Sequence, residues 1–234
     1  MQKILESGSV RVGTTGDWNP MTFKDPASNK YVGFEIEIVE ELAKDMGVKL
    51  ILVPTEWKTL VNGIIANKYD ISTSASLSAK RALSTGYTNS YFKLATVPLT
   101  LKKNISKFQD WSDINQKDVI VAVTLGTTQE QQAKQLFPDA KLKVIESPAR
   151  DYQEVLAGRA NVHITSNIEA ATLVKQYPEL AIVPISEPKY PTPLAWLAPQ
   201  EDQVWINYLN HWIEIKKAQG FFDLMMEKYK LKSL

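Results

Sequence analysis

"DVIVAVTLGTTQEQQAKQLF", residues 118–137, decides the fold, because it starts a pattern over again. "DVIVAV" is a short apolar run and reads as a buried strand, while "TTQEQQAKQLF" reads as the helix that follows it. The alternation continues with "AKLKVIE" (140–146), "ARDYQEVLAG" (149–158), "ANVHITS" (160–166) and "NIEAATLVKQY" (167–177), read as strand, helix, strand and helix. The first part of the chain has the same order. "SVRVGTT" (9–15) reads as a strand, and "FEIEIVEELAKDMG" (34–47) as a helix with Phe34, Ile38, Leu42 and Met46 on one face and Gly47 as its stop. "VKLILVP" (48–54) is a strand, "WKTLVNGIIANKY" (57–69) is helical, and "YDISTSAS" (69–76) is the next strand. Two β-α-β-α-β units imply an α/β protein with two lobes, each built on a parallel sheet with helices on both faces.

Two segments can join the lobes: the β-rich "YFKLATVPLTLKK" (91–103) and "SEPKYPTPLAWLAP" (186–199), which holds four prolines. Helical stretches at 202–220 and 221–231 follow the second, so the chain is expected to return to its first lobe. The expected division is 1–97 plus 192–234 for lobe 1 and 98–191 for lobe 2, with two hinge crossings. Open α/β sheets bind ligands beyond the carboxyl ends of their strands, and a ligand cleft between the lobes is the expected site.

Composition narrows the function. The chain has 234 residues, 44% of them hydrophobic, and a net charge of +1. That balance gives no broad electrostatic case for nucleic acid or an anionic membrane. No apolar stretch approaches the roughly 18 residues of a membrane span. Met1 leads straight into "QKILESGSVRVG" with no leader pattern, so the chain is expected to be cytosolic or a mature domain lacking its leader. The absence of cysteine excludes disulfides, thiolate zinc sites and cysteine nucleophiles. His163 and His211 are far apart and lack carboxylates at metal spacing; no metal or other cofactor is expected, and His163 is expected to be a satisfied core residue.

The ordered set "ILESGSVRVGTTGDWNPMTF", "YVGFEIEIVEELAKDMGVK", "YDISTSASLSAKR", "VAVTLGTTQE" and "VLAGRANVHITSNIEA" resembles the type II periplasmic solute-binding proteins of the polar amino acid class, bacterial family 3. Within that family "TTGDWNP", "PTEW" and "NIEA" are most similar to the cyclohexadienyl dehydratase branch, enzymes that decarboxylate and dehydrate prephenate or arogenate on this fold. The resemblance implies a two-lobed type II fold and a periplasmic location. Its implied partners are a small solute and an ABC permease, with no nucleic acid, and the protein would be a monomer or weak oligomer.

It also implies roles for residues. Arg81, closing "SASLSAKR", matches the arginine that clamps a ligand carboxylate, and Ser74 and Ser76 supply hydroxyl and backbone donors before it. A guanidinium is a planar fork suited to a carboxylate. The alternative for Arg81 is a solvated helix-start residue beside Lys80. Trp18 and Trp57 match positions that stack on a ligand's apolar face, whereas Trp205 and Trp212 suit a core. Gly126, Thr127 and Thr128 open a helix and offer N–H groups and hydroxyls at its positive end, or simply cap it. Ser166 stands where amino acid binders carry an aspartate for the α-ammonium, and neighbouring Asn167 does not restore the charge. An ordinary α-amino acid is therefore an unexpected ligand.

Glu169 aligns with the general acid of the dehydratases, and Asp17 can be the second carboxylate of the site. Thr96, on the expected crossover strand, stands where those enzymes carry a lysine. Glu169 also fits a plain first-turn glutamate. Thr124 completes a hydroxyl-rich candidate lining. Three functions follow as expectations. The first is a receptor for a small anionic or polyhydroxylated solute, serving ABC-type uptake. The second is a prephenate or arogenate dehydratase, and the third a lyase or hydrolase of a hydroxylated acid or lactone, both using Glu169 as acid.

Overall fold

The structure is a computed structural model and describes residues 1–233. The chain divides into two compact units: unit 1 is Met1–Lys93 with Thr192–Leu234, and unit 2 is Leu94–Pro191. The first division thus falls after Lys93, four residues before the position expected from sequence.

Unit 1 runs α1 (Gln2–Ser7), β1 (Ser9–Thr14), β2 (Asp17–Trp18), β3 (Thr22–Lys24), β4 (Tyr31–Val32), α2 (Phe34–Asp45), β5 (Lys49–Pro54), α3 (Leu60–Ile65), β6 (Ile71–Ser76), α4 (Ala79–Ala82) and β7 (Gly86–Tyr87). Strand β8 (Phe92–Leu101) leaves it. Unit 2 continues with α5 (Trp111–Ile114), β9 (Ile120–Thr124), α6 (Thr128–Leu136), β10 (Lys141–Ile145), α7 (Asp151–Leu156), β11 (Val162–Ser166), α8 (Asn167–Gln176) and β12 (Leu180–Ile182). Strand β13 (Lys189–Ala198) returns the chain to unit 1, which ends with α9 (Gln203–Ala218) and α10 (Phe221–Tyr229).

The sheets are mixed rather than purely parallel. In unit 1, β1 pairs in parallel with both β5 and β6, while β13 joins β6 antiparallel. In unit 2, β9 pairs in parallel with β10 and β11, and β8 joins β11 antiparallel. The parallel pairs come from the β-α-β repeats, and the antiparallel ones from the two crossover strands, which sequence alternation alone did not place in the sheets. A small antiparallel sheet, β2-β3-β4, follows β1. Its two- and three-residue strands are too short to show a period.

Strand alternation explains unit 2. Val121 and Val123 of β9 join Val162 and Ile164 of β11 in a core with Trp111, Ile114 and Phe137. Ala122, between the valines, faces the opposite core with Leu99, Val155, Ala170 and Leu173. Successive residues of a strand point to opposite faces, so one sheet feeds two cores. Each fully buried Leu, Ile or Val side chain contributes about 1.5–3 kcal/mol. In unit 1, α2 buries Phe34, Ile38 and Leu42 as its spacing requires, and Gly47 at φ 64 follows it. Gly33, before α2, has φ 133, and a Cβ there would lie 2.5 Å from the Met21 carbonyl oxygen. Only glycine therefore brings α2 in at this point. Trp205 and Trp212 are core residues.

Among the described residues, no helix is long and apolar enough to cross a membrane.

Candidate functional site

In unit 1 the expected residues gather past the carboxyl ends of the parallel strands. Asp17 and Trp18 follow β1, Trp57 follows β5, Ser74 lies within β6 and Ser76 ends it, and Arg81 lies in α4. Trp57 donates its indole N–H to both carboxylate oxygens of Asp17, at 2.9 and 3.2 Å. Its ring meets Trp18 edge to face at 5.9 Å. Asp17 is thus engaged in orienting Trp57. Arg81 is buried and donates to the Ser76 carbonyl at 3.2 Å, which also accepts the Tyr87 hydroxyl at 2.9 Å.

Ser74 carries a feature the sequence hides. Its φ is 62, in the left-handed region, although it sits inside a strand. Three steps along β6, from Ser72 to Ala75, match two along β13, from Ala195 to Leu197. This is a β-bulge, a device that re-aims side chains and is common near active sites. Glu35, in the first turn of α2, holds the bulge. It accepts the Ser74 backbone N–H at 3.0 Å, the Ser74 hydroxyl and the Tyr91 hydroxyl. Burial pushes the Glu35 carboxyl above its ordinary value, and the hydrogen bonds oppose that push. In the sequence Glu35 is only a glutamate beside an apolar helix face.

Unit 2 also gathers its expected residues at strand ends. Thr96 of β8 lies directly opposite Ser166 of β11. Thr124 ends β9, Thr128 begins α6, and Asn167 begins α8. Most of their polar groups have internal roles. Thr96 donates to Gln132 at 2.6 Å, Asn167 accepts the Ala95 N–H at 3.0 Å, and Thr128 donates to Gln129 at 3.2 Å. Thr127 caps α6 by accepting the Glu130 N–H at 3.2 Å. The Gly126 N–H is not held open for an external anion, because the Glu130 carboxylate accepts it at 2.8 Å. Glu130 thus bonds the residue before the cap, while the cap itself, Thr127, bonds Glu130.

Ser166 caps α8 by accepting the Glu169 N–H at 3.1 Å. The Glu169 carboxylate accepts Arg150 Nη2 at 2.9 Å and the Thr165 hydroxyl. Behind it stands His163, whose Nε2 is 4.0 Å from Glu169 and whose Nδ1 is 3.3 Å from Asp151. Neither ring nitrogen has an aligned hydrogen-bond partner. The expectation of a satisfied core histidine is therefore corrected: His163 is buried, but as a member of a charge cluster. Arg150 and Asp151 escape notice in the sequence because "ARDYQEVLAG" reads only as the start of a helix, and only folding brings them to residues 163–169.

Charge sets the protonation of this cluster. Burial alone would raise the Asp151 carboxyl, yet His163, Arg150 and Thr124 together hold it down at about 2. Burial alone would lower His163, and the Asp151 and Glu169 carboxylates outweigh that and raise it. Burial raises Glu169, against the pull of Arg150 and His163. For Asp151, whose folded value is depressed, stability is present above the unfolded value of 3.8 and is lost as pH falls toward about 2. For His163, whose folded value is raised, stability is present below 6.5 and is lost as pH rises through the folded value. Asp151→Asn is expected to cost roughly 2 kcal/mol at about pH 5. That cost should shrink as the pH falls toward 2, in urea unfolding followed by circular dichroism. A pH-independent cost would contradict the pair.

Among the described residues, no group of three or more His, Cys, Asp or Glu side chains is placed to hold a metal ion.

The model of the family described as bacterial extracellular solute-binding proteins, family 3, matches residues 10–232. The chain is 30% identical to cyclohexadienyl dehydratase of Pseudomonas aeruginosa, over 98% of this chain and 85% of that protein. It superposes with a TM-score of 0.91 on an ancestral amino acid-binding protein, a precursor of cyclohexadienyl dehydratase. That pair shares 33% identity over 97% of this chain and 98% of the other. A putative ABC transporter binding component from Wolinella succinogenes, complexed with lysine, gives a TM-score of 0.87 at 30% identity, covering 94% and 95% of the two chains. Proteins of this family are periplasmic solute-binding components of bacterial uptake systems, working with a membrane permease, and a dehydratase shares the fold. The match over residues 10–232, on a chain of two α/β units, shows that the chain belongs to family 3 of the bacterial extracellular solute-binding proteins.

Proposed function

We propose that the protein is an uptake receptor for a small carboxylate without an α-ammonium group, a hydroxy or oxo acid. The observation that carries this reading is the Arg150–Glu169 ion pair at 2.9 Å. A ligand ammonium needs an uncompensated carboxylate, since a desolvated cation without a partner is costly. In unit 2 Ser166 is neutral, and Glu169 is already matched by Arg150. In unit 1, Arg81 supplies the fork for the ligand carboxylate, and Trp57, set by Asp17, supplies an apolar ring face.

The test is calorimetric binding of matched pairs: lactate with alanine, 2-hydroxyisocaproate with leucine, and phenyllactate with phenylalanine. The hydroxy acid is expected to bind at least about tenfold tighter in every pair that binds, the value of one charge-assisted contact. Equal or tighter binding of the amino acids would end this reading.

A dehydratase or other acid–base enzyme is the second reading, and what favours it is the upward push that burial gives Glu169. Against it, Arg150 and Thr165 both donate to that carboxylate, which favours the ionised form. Proton NMR of the protein with prephenate, arogenate and sugar-acid lactones, compared with Glu169→Gln, separates the two. Consumption of a compound by the intact protein alone would establish the enzyme.

A further inference from the structure

We infer that His163 decides which ligand charge the protein accepts, by deciding which carboxylate Arg150 neutralises. This rests on the ligand class proposed above and names the residue that sets it.

Four ionisable side chains meet in unit 2, two cations and two carboxylates. Arg150 and Asp151 stand at the head of α7, His163 near the start of β11, and Glu169 in the first turn of α8. Their burial is graded. The side chains of His163 and Asp151 are 2% and 5% exposed, whereas those of Glu169 and Arg150 are 12% and 17% exposed. The deeper carboxylate carries the larger desolvation cost and has first claim on a cation. His163 meets that claim, with Nδ1 3.3 Å from Asp151. Arg150 is thereby left to Glu169, at 2.9 Å. With His163 protonated all four charges cancel, and the cluster offers no net charge to a ligand.

His163 is a positioning residue in this scheme, because it acts through Arg150. Arg150 is the chain neighbour of Asp151, and its charge already helps to hold the Asp151 carboxyl down. If the imidazole is replaced by a neutral side chain, Asp151 becomes a buried carboxylate with no counterion. Breaking a buried pair in this way is strongly unfavourable, and the nearest remaining cation is Arg150. The guanidinium then turns to Asp151, and the more exposed Glu169 loses its partner. An uncompensated carboxylate one helical turn from Ser166 is what a ligand ammonium requires. Thr165, which donates to Glu169, and the Tyr152 ring, under Arg150 at 5.6 Å, are neutral and cannot replace the lost charge.

The experiment is a four-way comparison of the intact protein, His163→Gln, Asp151→Asn and the double variant. Two quantities are read: the affinity ratio within each hydroxy acid and amino acid pair, and the carboxyl titration of Glu169 by carbon-13 NMR, which needs no ligand. His163→Gln is expected to move the ratio toward the amino acid by about ten- to a hundredfold, and to raise the Glu169 midpoint. Asp151→Asn alone leaves Arg150 on Glu169, so the ratio stays put. In the double variant Asp151 no longer draws Arg150, and both quantities return to those of the intact protein. A merely structural role for His163 would lower stability without moving the ratio, and the second substitution would not reverse it.

The inference is overturned if His163→Gln leaves ratio and midpoint unchanged, or if the double variant fails to restore them. If His163→Gln does not fold, a ratio shifted by Asp151→Asn overturns it equally. An intact protein that prefers amino acids defeats the proposed ligand class, whereas this inference is judged by the shifts among variants.

Discussion

Arg81→Leu is expected to lower the affinity for every carboxylate ligand by about a hundredfold or more, because one partner of a buried charge pair is removed. The proposal that Arg81 clamps the ligand carboxylate motivates this. Its side chain is buried, and one guanidinium nitrogen is already anchored on the Ser76 carbonyl at 3.2 Å. That anchor fixes the plane of the fork, so little side-chain freedom remains to be lost on binding. Tyr87 shares the same carbonyl, which couples the arginine's position to β7. Arg81→Lys keeps the charge and loses the fork, so an intermediate loss of about tenfold is expected. Calorimetry with the preferred hydroxy acid checks both variants. If Arg81→Leu binds as tightly as the intact protein, Arg81 is not the carboxylate contact, and the anionic ligand class loses its main support in unit 1.

Glu35→Ala is expected to cost about 3–5 kcal/mol of stability. Three donors converge on Glu35, two of them from Ser74 and one from Tyr91, and all are buried. Truncation leaves three donors without an acceptor and opens a cavity at the head of α2. It also removes what holds Ser74 at φ 62, a conformation a serine side chain disfavours. Affinity should therefore fall along with stability. Urea unfolding measures the first effect and calorimetry below the midpoint the second. Ser74→Gly separates them, since glycine adopts that φ freely and keeps the backbone donor. It should retain more stability than Glu35→Ala. A cost below about 1 kcal/mol for Glu35→Ala would show that the bulge holds itself.

The α/β alternation was legible in the chain because helix and strand periods are local. Gly47 stops α2 as its sequence implies, and β9, β11, α6 and α8 stand where the apolar runs and caps place them. The segments of β8 and β13 read as crossover strands, but their antiparallel partners are hidden, since nothing local reveals the strand a crossover will join. The site divides along the same line. Arg81, Trp57, Ser166 and Glu169 sit in motifs that can be matched to a family. Glu35, Arg150, Asp151 and His163 act through pairings that are remote in sequence, 39 residues apart for Glu35 with Ser74 and 12 for Asp151 with His163. A lone buried histidine and a turn arginine give no sign of each other until the fold brings them together.

The bulge at Ser74 has a consequence for anyone rebuilding this protein. A strand with an odd residue inserted cannot be exchanged as a cassette, because the donors at the insertion answer to a carboxylate on a helix 39 positions earlier. A chimera taking β6 from a relative without the insertion would leave Glu35 as a buried acid with the Tyr91 hydroxyl as its remaining donor. A chimera taking α2 alone would leave the insertion unclamped. The heritable module is the pair, a helix head and a strand kink that are distant in the gene and inseparable in the folded chain.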